Sequence, residues 1–216
     1  MRDDICTIPI SEVFEVNDSC PLCRLHNTVN ERIVDYIMGD AMMEPDVRIE
    51  TNKIGFCPEH YSQMLNHNGR LALALMLQTH LNEINTKVLN KKITDKLSDK
   101  CFICDKIEWG FSRMIDTLYR TYENDADFRE MFNSQKEFCL PHFELLISGC
   151  NKKNMKKQHS VFAENLIRIT KQHTTDIYDS ISKYCSMYDY RSNRKGEEFE
   201  SCKTSVEAAI DFLAGK

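Results

Sequence analysis

Apolar residues recur every three or four positions along most of the chain. Leu22, Leu25, Val29, Ile33 and Tyr36 mark one helical stripe that stops near Gly39. Leu73, Leu77, Leu81, Ile84 and Val88 mark a second, and Ile107, Phe111, Met114, Leu118 and Tyr122 a third. A short helix is predicted from His142 to about Ile147. A long one follows, carrying Phe162, Leu166, Ile169, Ile177, Ile181, Tyr184 and Tyr188. The final stretch predicts a terminal helix with Val206, Ile210 and Leu213 inward and Gly215 past its end. One stretch breaks the pattern. Between Glu44 and Glu50, charged residues alternate around Val47 and Ile49, which predicts a loop with a short extended segment.

Composition agrees with an all-α chain. Seven Gly and five Pro in 216 residues do not supply the turns of a sandwich or barrel. The longest dense apolar run, Leu71 to Leu77, is too short to cross a bilayer, and the first residues carry charges with no apolar leader. The chain therefore reads as cytoplasmic, with no membrane association. In a reducing compartment, ten cysteines point to metal or redox chemistry before disulfides.

Eight of the predicted ligands come as a repeated phrase. Cys20 and Cys23 form a CxxC, and Cys57 and His60 a CxxH; Cys101 with Cys104 and Cys139 with His142 repeat both. The CxxC pairs are offset by 81 positions and the CxxH pairs by 82, so the chain reads as an internal duplication. Two intervening residues let two donors converge on one ion, and Cys₃His is a structural zinc set with no open coordination position. Thirty-three residues separate the inner cysteines in the first repeat and thirty-four in the second, so each repeat is read as one set, giving one zinc ion on Cys20, Cys23, Cys57 and His60. A second would sit on Cys101, Cys104, Cys139 and His142. An iron–sulfur cluster can use the same residue types. A thioredoxin-like pair would need a βαβ context that the pattern lacks.

The expected architecture is a duplicated helical repeat, each half stapled by a Cys₃His zinc knuckle, plus a C-terminal helix. The repeats span 1–95 and 96–190, and 191–216 hold a linker and the last helix, all packing as one compact domain. Cys6, Cys150, Cys185 and Cys202 lie outside the pattern and read as small buried hydrophobes.

The stretch GDAMMEPDVRIETNKIGFCPEH (Gly39 to His60), with CPLCRL before it and DYR at Asp189 to Arg191, resembles a family of unknown function. The resemblance is to cytosolic proteins of anaerobic bacteria, which implies the same setting for this chain. The resemblance implies paired CxxC…CxxH ligands in a helical protein and no established activity, substrate or partner.

Three function classes remain. A zinc-stabilised module that binds a protein partner comes first, because no phosphate loop, nucleophile elbow or HExxH is present. An enzyme or small-ligand protein with a pocket between the repeats would use Asp46, Arg48, Tyr190, or the stripe histidines His80 and His173. Asp46 and Arg48, like Asp189 and Arg191, could equally form structural ion pairs. A metal or redox sensor is the third class. The formal charge of −5 argues against nucleic acid, and the basic run Lys152 to Lys157 has no interleaved aromatics.

Overall fold

Proline and glycine divide the chain into helices. Pro21, Pro45 and Pro58 open three of them and Pro141 lies in the first turn of a fourth, where a missing N–H costs nothing. The computed structural model describes residues 7–89, 100–187 and 203–215. Among these there are ten α-helices and no strand: α1 (Thr7–Glu15), α2 (Pro21–Met38), α3 (Pro45–Ile54), α4 (Pro58–Asn66), α5 (Arg70–Glu83), α6 (Phe102–Asn124), α7 (Ala126–Asn133), α8 (Leu140–Gly149), α9 (His159–Ser186) and α10 (Ser205–Ala214). A 3₁₀ turn, Asp40–Met43, precedes α3, and a π-helical segment, Ile84–Leu89, extends α5. The all-α expectation holds. The expectations for Cys6, Tyr188, Asp189, Tyr190, Arg191, Cys202 and the linker after them lie outside the described residues.

The chain divides into two compact units, named here for their place in the sequence. The central unit is His26–Ser112, and the terminal unit combines Met1–Leu25 with Arg113–Lys216. The divisions fall inside α2 and α6.

Aromatic packing builds the terminal unit. Phe14 from α1, Phe128 and Phe132 from α7, Phe138, and Phe162 from α9 are buried together with Tyr119 and Tyr122 of α6. Phe132 meets Phe138 at 5.0 Å and Phe162 at 4.8 Å, and Tyr122 meets Phe162 edge-on at 4.8 Å. Tyr119 donates to the Leu146 carbonyl at 2.9 Å. Its ring passes so close to Gly149 that a Cβ there would overlap the phenol.

In the central unit, side-chain hydrogen bonds join α3 to α5. Arg48 of α3 donates to the Leu75 carbonyl and the Thr79 hydroxyl of α5, and Thr79 donates to Asn52 at 2.7 Å. His80 donates from Nδ1 to the Asn52 carbonyl at 2.7 Å. Gly55 ends α3 at φ 72°, a conformation costly for other residues, and a Cβ there would lie 2.8 Å from His80 Nε2.

Three expectations are corrected. Residues 45–54 form helix α3 rather than an extended loop. Pro45 presets the first turn, Asp46 faces the helix dipole favourably, and burying Thr51 orients the helix. In α5 the inward face is Ala72, Leu73 and Met76, while Leu81 is exposed. The run Leu71–Leu77 is nearly all apolar, so periodicity could not choose a side. In α10, Ser205 and Phe212 face inward and Val206, Ile210 and Leu213 outward. Phe212 packs edge-on against the His173 ring at 5.6 Å, and this larger aromatic sets the helix's rotation.

Candidate metal centres

Every CxxC and CxxH pair occupies the same place on a helix. Cys20, Cys57, Cys101 and Cys139 each sit immediately before α2, α4, α6 and α8. Their carbonyls accept the first helical hydrogen bonds, from Arg24, Tyr61, Asp105 and Phe143 at 2.8–3.2 Å. The second ligand of each pair, Cys23, His60, Cys104 or His142, is the third helical residue, so its side chain folds back toward the first. This is the geometry by which a capping box closes on itself. Each pair thus presents two donors at a helix N-terminus, where the partial positive charge favours thiolates.

These pairs combine into two groups, one in each unit. Cys20, Cys23, Cys139 and His142 meet in the terminal unit, and Cys57, His60, Cys101 and Cys104 in the central unit, with all four donor atoms of a group within 4.8 Å of one another. Either group could hold a metal ion. All eight expected ligand residues are therefore gathered, but the expected partition is overturned. Each CxxC joins the CxxH of the other repeat. Spacing did not reveal this, because any CxxC can complete a tetrahedron with any CxxH.

In the terminal group, His142 Nδ1 lies 3.0 Å from the Cys139 sulfur, 3.3 Å from Cys23 and 3.6 Å from Cys20. In the central group, His60 Nδ1 lies 3.1 Å from Cys57, 3.3 Å from Cys101 and 3.4 Å from Cys104. Sulfur–sulfur approaches are 3.6 Å for Cys23 with Cys139 and 3.9 Å for Cys57 with Cys104. Packed this tightly without a cation, the sulfurs cannot all ionise. Contact with Cys139 and Cys20, together with burial, pushes the Cys23 thiol up, and burial with the nearby Cys101 and Cys57 pushes Cys104 up to about 12. Burial would also raise Cys57, but backbone N–H groups of His60 and Glu59 and its cysteine neighbours outweigh it and hold the thiol below its ordinary value.

Supporting contacts fix the ligands, and sequence reasoning missed most of them. His60 donates from Nε2 to Asn30 Oδ1 at 3.0 Å, and Asn30 donates to Gln63 Oε1 at 3.1 Å. This fixes the tautomer that leaves Nδ1 free to ligate. Burial lowers the His60 pKa and keeps the ring neutral, as a ligand must be. Asn30 on a helix reads as an ordinary polar surface residue, so nothing in the sequence marked it. Near the terminal group, Arg24 donates to the carbonyls of Val13, Val16 and Ser19 and to the Asp18 carboxylate, fixing the turn that delivers Cys20. Glu137 accepts from the Cys20 backbone N–H and pairs with His173 at 3.2 Å.

The described residues expected at a pocket have the following partners. Arg48 and His80 join α3 to α5, and His173 braces Glu137. Asp46 lines an apolar cleft with Tyr36, Val47, Phe102 and Trp109. Cys150 donates to the His159 carbonyl at 3.0 Å, and Cys185 is exposed near the end of α9 rather than buried.

The model of the family of unknown function DUF6062 matches the chain twice, over residues 1–96 and 90–216. No curated protein and no solved structure matches it. No described helix is long and apolar enough to cross a membrane. With the whole length covered by the two matches, the chain belongs to the DUF6062 family.

Proposed function

We propose that the chain is a zinc-stabilised helical interaction module, with one structural zinc ion in each compact unit. The observation carrying the metal assignment is the spacing of the donors. Zinc–sulfur bonds of about 2.3 Å and zinc–nitrogen bonds of about 2.0–2.1 Å in a tetrahedron require sulfur–sulfur edges near 3.8 Å and sulfur–nitrogen edges near 3.6 Å. One sulfur–sulfur edge is 3.6 Å in the terminal group and one is 3.9 Å in the central group, the sulfur–nitrogen edges are 3.0–3.6 Å, and all donors of a group lie within 4.8 Å of one another. Four protein donors fill the shell, so the ions hold helices and leave no position for a reacting water. Three thiolates and one divalent ion carry one net negative charge, and two helix N-termini of roughly +0.5 each oppose it.

A binding role is favoured by the cleft on the central unit. It has a volume of about 430 Å³ and a floor of Ile37, Val47 and Phe102, flanked by Tyr36 and Trp109. Trp109, the chain's only Trp, is 62% exposed. Exposed aromatics beside a cleft are the residues that anchor interfaces. Two loaded sites take the formal charge from −5 to −7, so the partner is a protein or a small ligand rather than nucleic acid. Thiolate ligands suit the reducing cytoplasm.

Elemental analysis of protein purified without added metal tests the metal reading. Two zinc ions per chain are expected. Iron with a visible charge-transfer band, or no metal, would overturn it. For the binding role, a partner co-purifying with wild type should be lost with Trp109→Ala at unchanged helicity. Retention at full yield would move the interface elsewhere.

A further inference from the structure

The two metal groups differ in access. In the terminal group Cys20, Cys23 and Cys139 are 2–5% exposed. In the central group Cys101 is 5% exposed and Cys57 half-buried, but Cys104 is exposed. Its side chain lines a polar cleft of about 500 Å³ with His26, Glu59, Gln63, Glu108 and Phe111. Water and small polar solutes reach that sulfur directly. The close sulfur pair of the terminal group, Cys23 and Cys139, is buried.

We propose that Cys104 is the peroxide-reactive sulfur among the described residues, and that its oxidation joins it to Cys57 and opens the central metal group. The proposal rests on the zinc reading above, because a coordinated sulfur is held as the thiolate. The Cys104 thiolate attacks one peroxide oxygen, the O–O bond breaks, and sulfenic acid and hydroxide result. The Cys57 thiolate, 3.9 Å away, then attacks the sulfenic sulfur and expels a second hydroxide. Two thiolates are oxidised by two electrons, and one peroxide is reduced to two hydroxides. Only Cys101 and His60 remain as donors, too few to retain the ion. The terminal group keeps its metal because its sulfurs are buried.

The other described cysteines outside the metal groups, Cys150 and Cys185, are poorer targets. Cys150 is pushed up by burial and donates to a carbonyl. Cys185 is exposed but sits in the last turn of α9, where the helix dipole disfavours a thiolate.

Full-length protein is titrated with hydrogen peroxide in the presence of a chromogenic zinc chelator, and disulfides are mapped by differential alkylation and mass spectrometry. The first zinc equivalent should leave together with formation of the Cys57–Cys104 disulfide. The second should leave only at roughly tenfold higher peroxide. Oxidation of Cys20, Cys23 or Cys139 at the same dose would overturn the proposal, as would a first disulfide that omits Cys104. Elemental analysis before oxidant is added reports on the zinc reading separately, so a first oxidation that spares Cys104 in zinc-loaded protein overturns this proposal alone.

Discussion

The sulfur of Cys23 lies 3.6 Å from that of Cys139, 116 positions along the chain. His60 Nδ1 likewise lies 3.3 Å from the Cys101 sulfur, 41 positions on. In sequence the central group is nested inside the terminal one. A duplication that could have given two independent stapled hairpins has instead exchanged its halves. Each compact unit gathers donors from both repeats, so neither repeat carries a complete donor set of its own.

Loss of one site should therefore loosen a unit, not a repeat. Structural zinc contributes an apparent 10–16 kcal/mol or so, against a domain stability of about 5–15 kcal/mol. Cys57→Ser should abolish slow hydrogen exchange in residues 26–89 and 100–112 while the aromatic core around Phe132 and Phe162 stays protected. Cys139→Ser should do the reverse, and a strong chelator should do both. Wild-type protection in a variant that has lost its metal would show that the ion is no scaffold.

Asn30 gives a finer test. Removing the group that orients a ligating histidine typically weakens metal affinity 10–100-fold. Asn30→Ala should lower zinc affinity by that order at the central site alone, read by chelator competition, and Asn30→Asp, which keeps the acceptor, should restore it. Equal weakening of both sites would contradict the role of the His60–Asn30 contact.

Gly149→Ala probes packing away from either metal group. The added methyl overlaps the Tyr119 phenol, whose hydroxyl holds the Leu146 carbonyl. Overpacking of this kind costs about 1–3 kcal/mol. Denaturant unfolding should show that loss. Tyr119→Phe in the same chain should add less than it does alone, because the two side chains compete for one space. Simple additivity would refute the steric account.

Much of this was legible in the chain. The stripes through Leu22 and Leu25, Leu118 and Tyr122, and Phe162 and Leu166 face the core as expected, apart from Tyr36 at the end of the first, which is exposed. The eight donors stood out because chemistry demands their spacing. Their partition did not. Pairing Cys23 with Cys139 instead of Cys57 lengthens the loop from 33 residues to 115, fewer than two doublings. At about 0.6 kcal/mol per doubling, this costs only about 1.1 kcal/mol. Helix packing easily outweighs that. In α5 and α10 two adjacent apolar stripes competed, and tertiary contacts such as Phe212 with His173 chose between them.

Zinc stoichiometry in two double variants tests the exchanged pairing most directly. In Cys20→Ser/Cys139→Ser both changes fall in one group, so one zinc ion per chain should remain. In Cys20→Ser/Cys57→Ser they fall in different groups, and essentially none should remain. Pairing within repeats predicts the opposite for each: none in the first variant and one in the second. That reversed result would contradict the account.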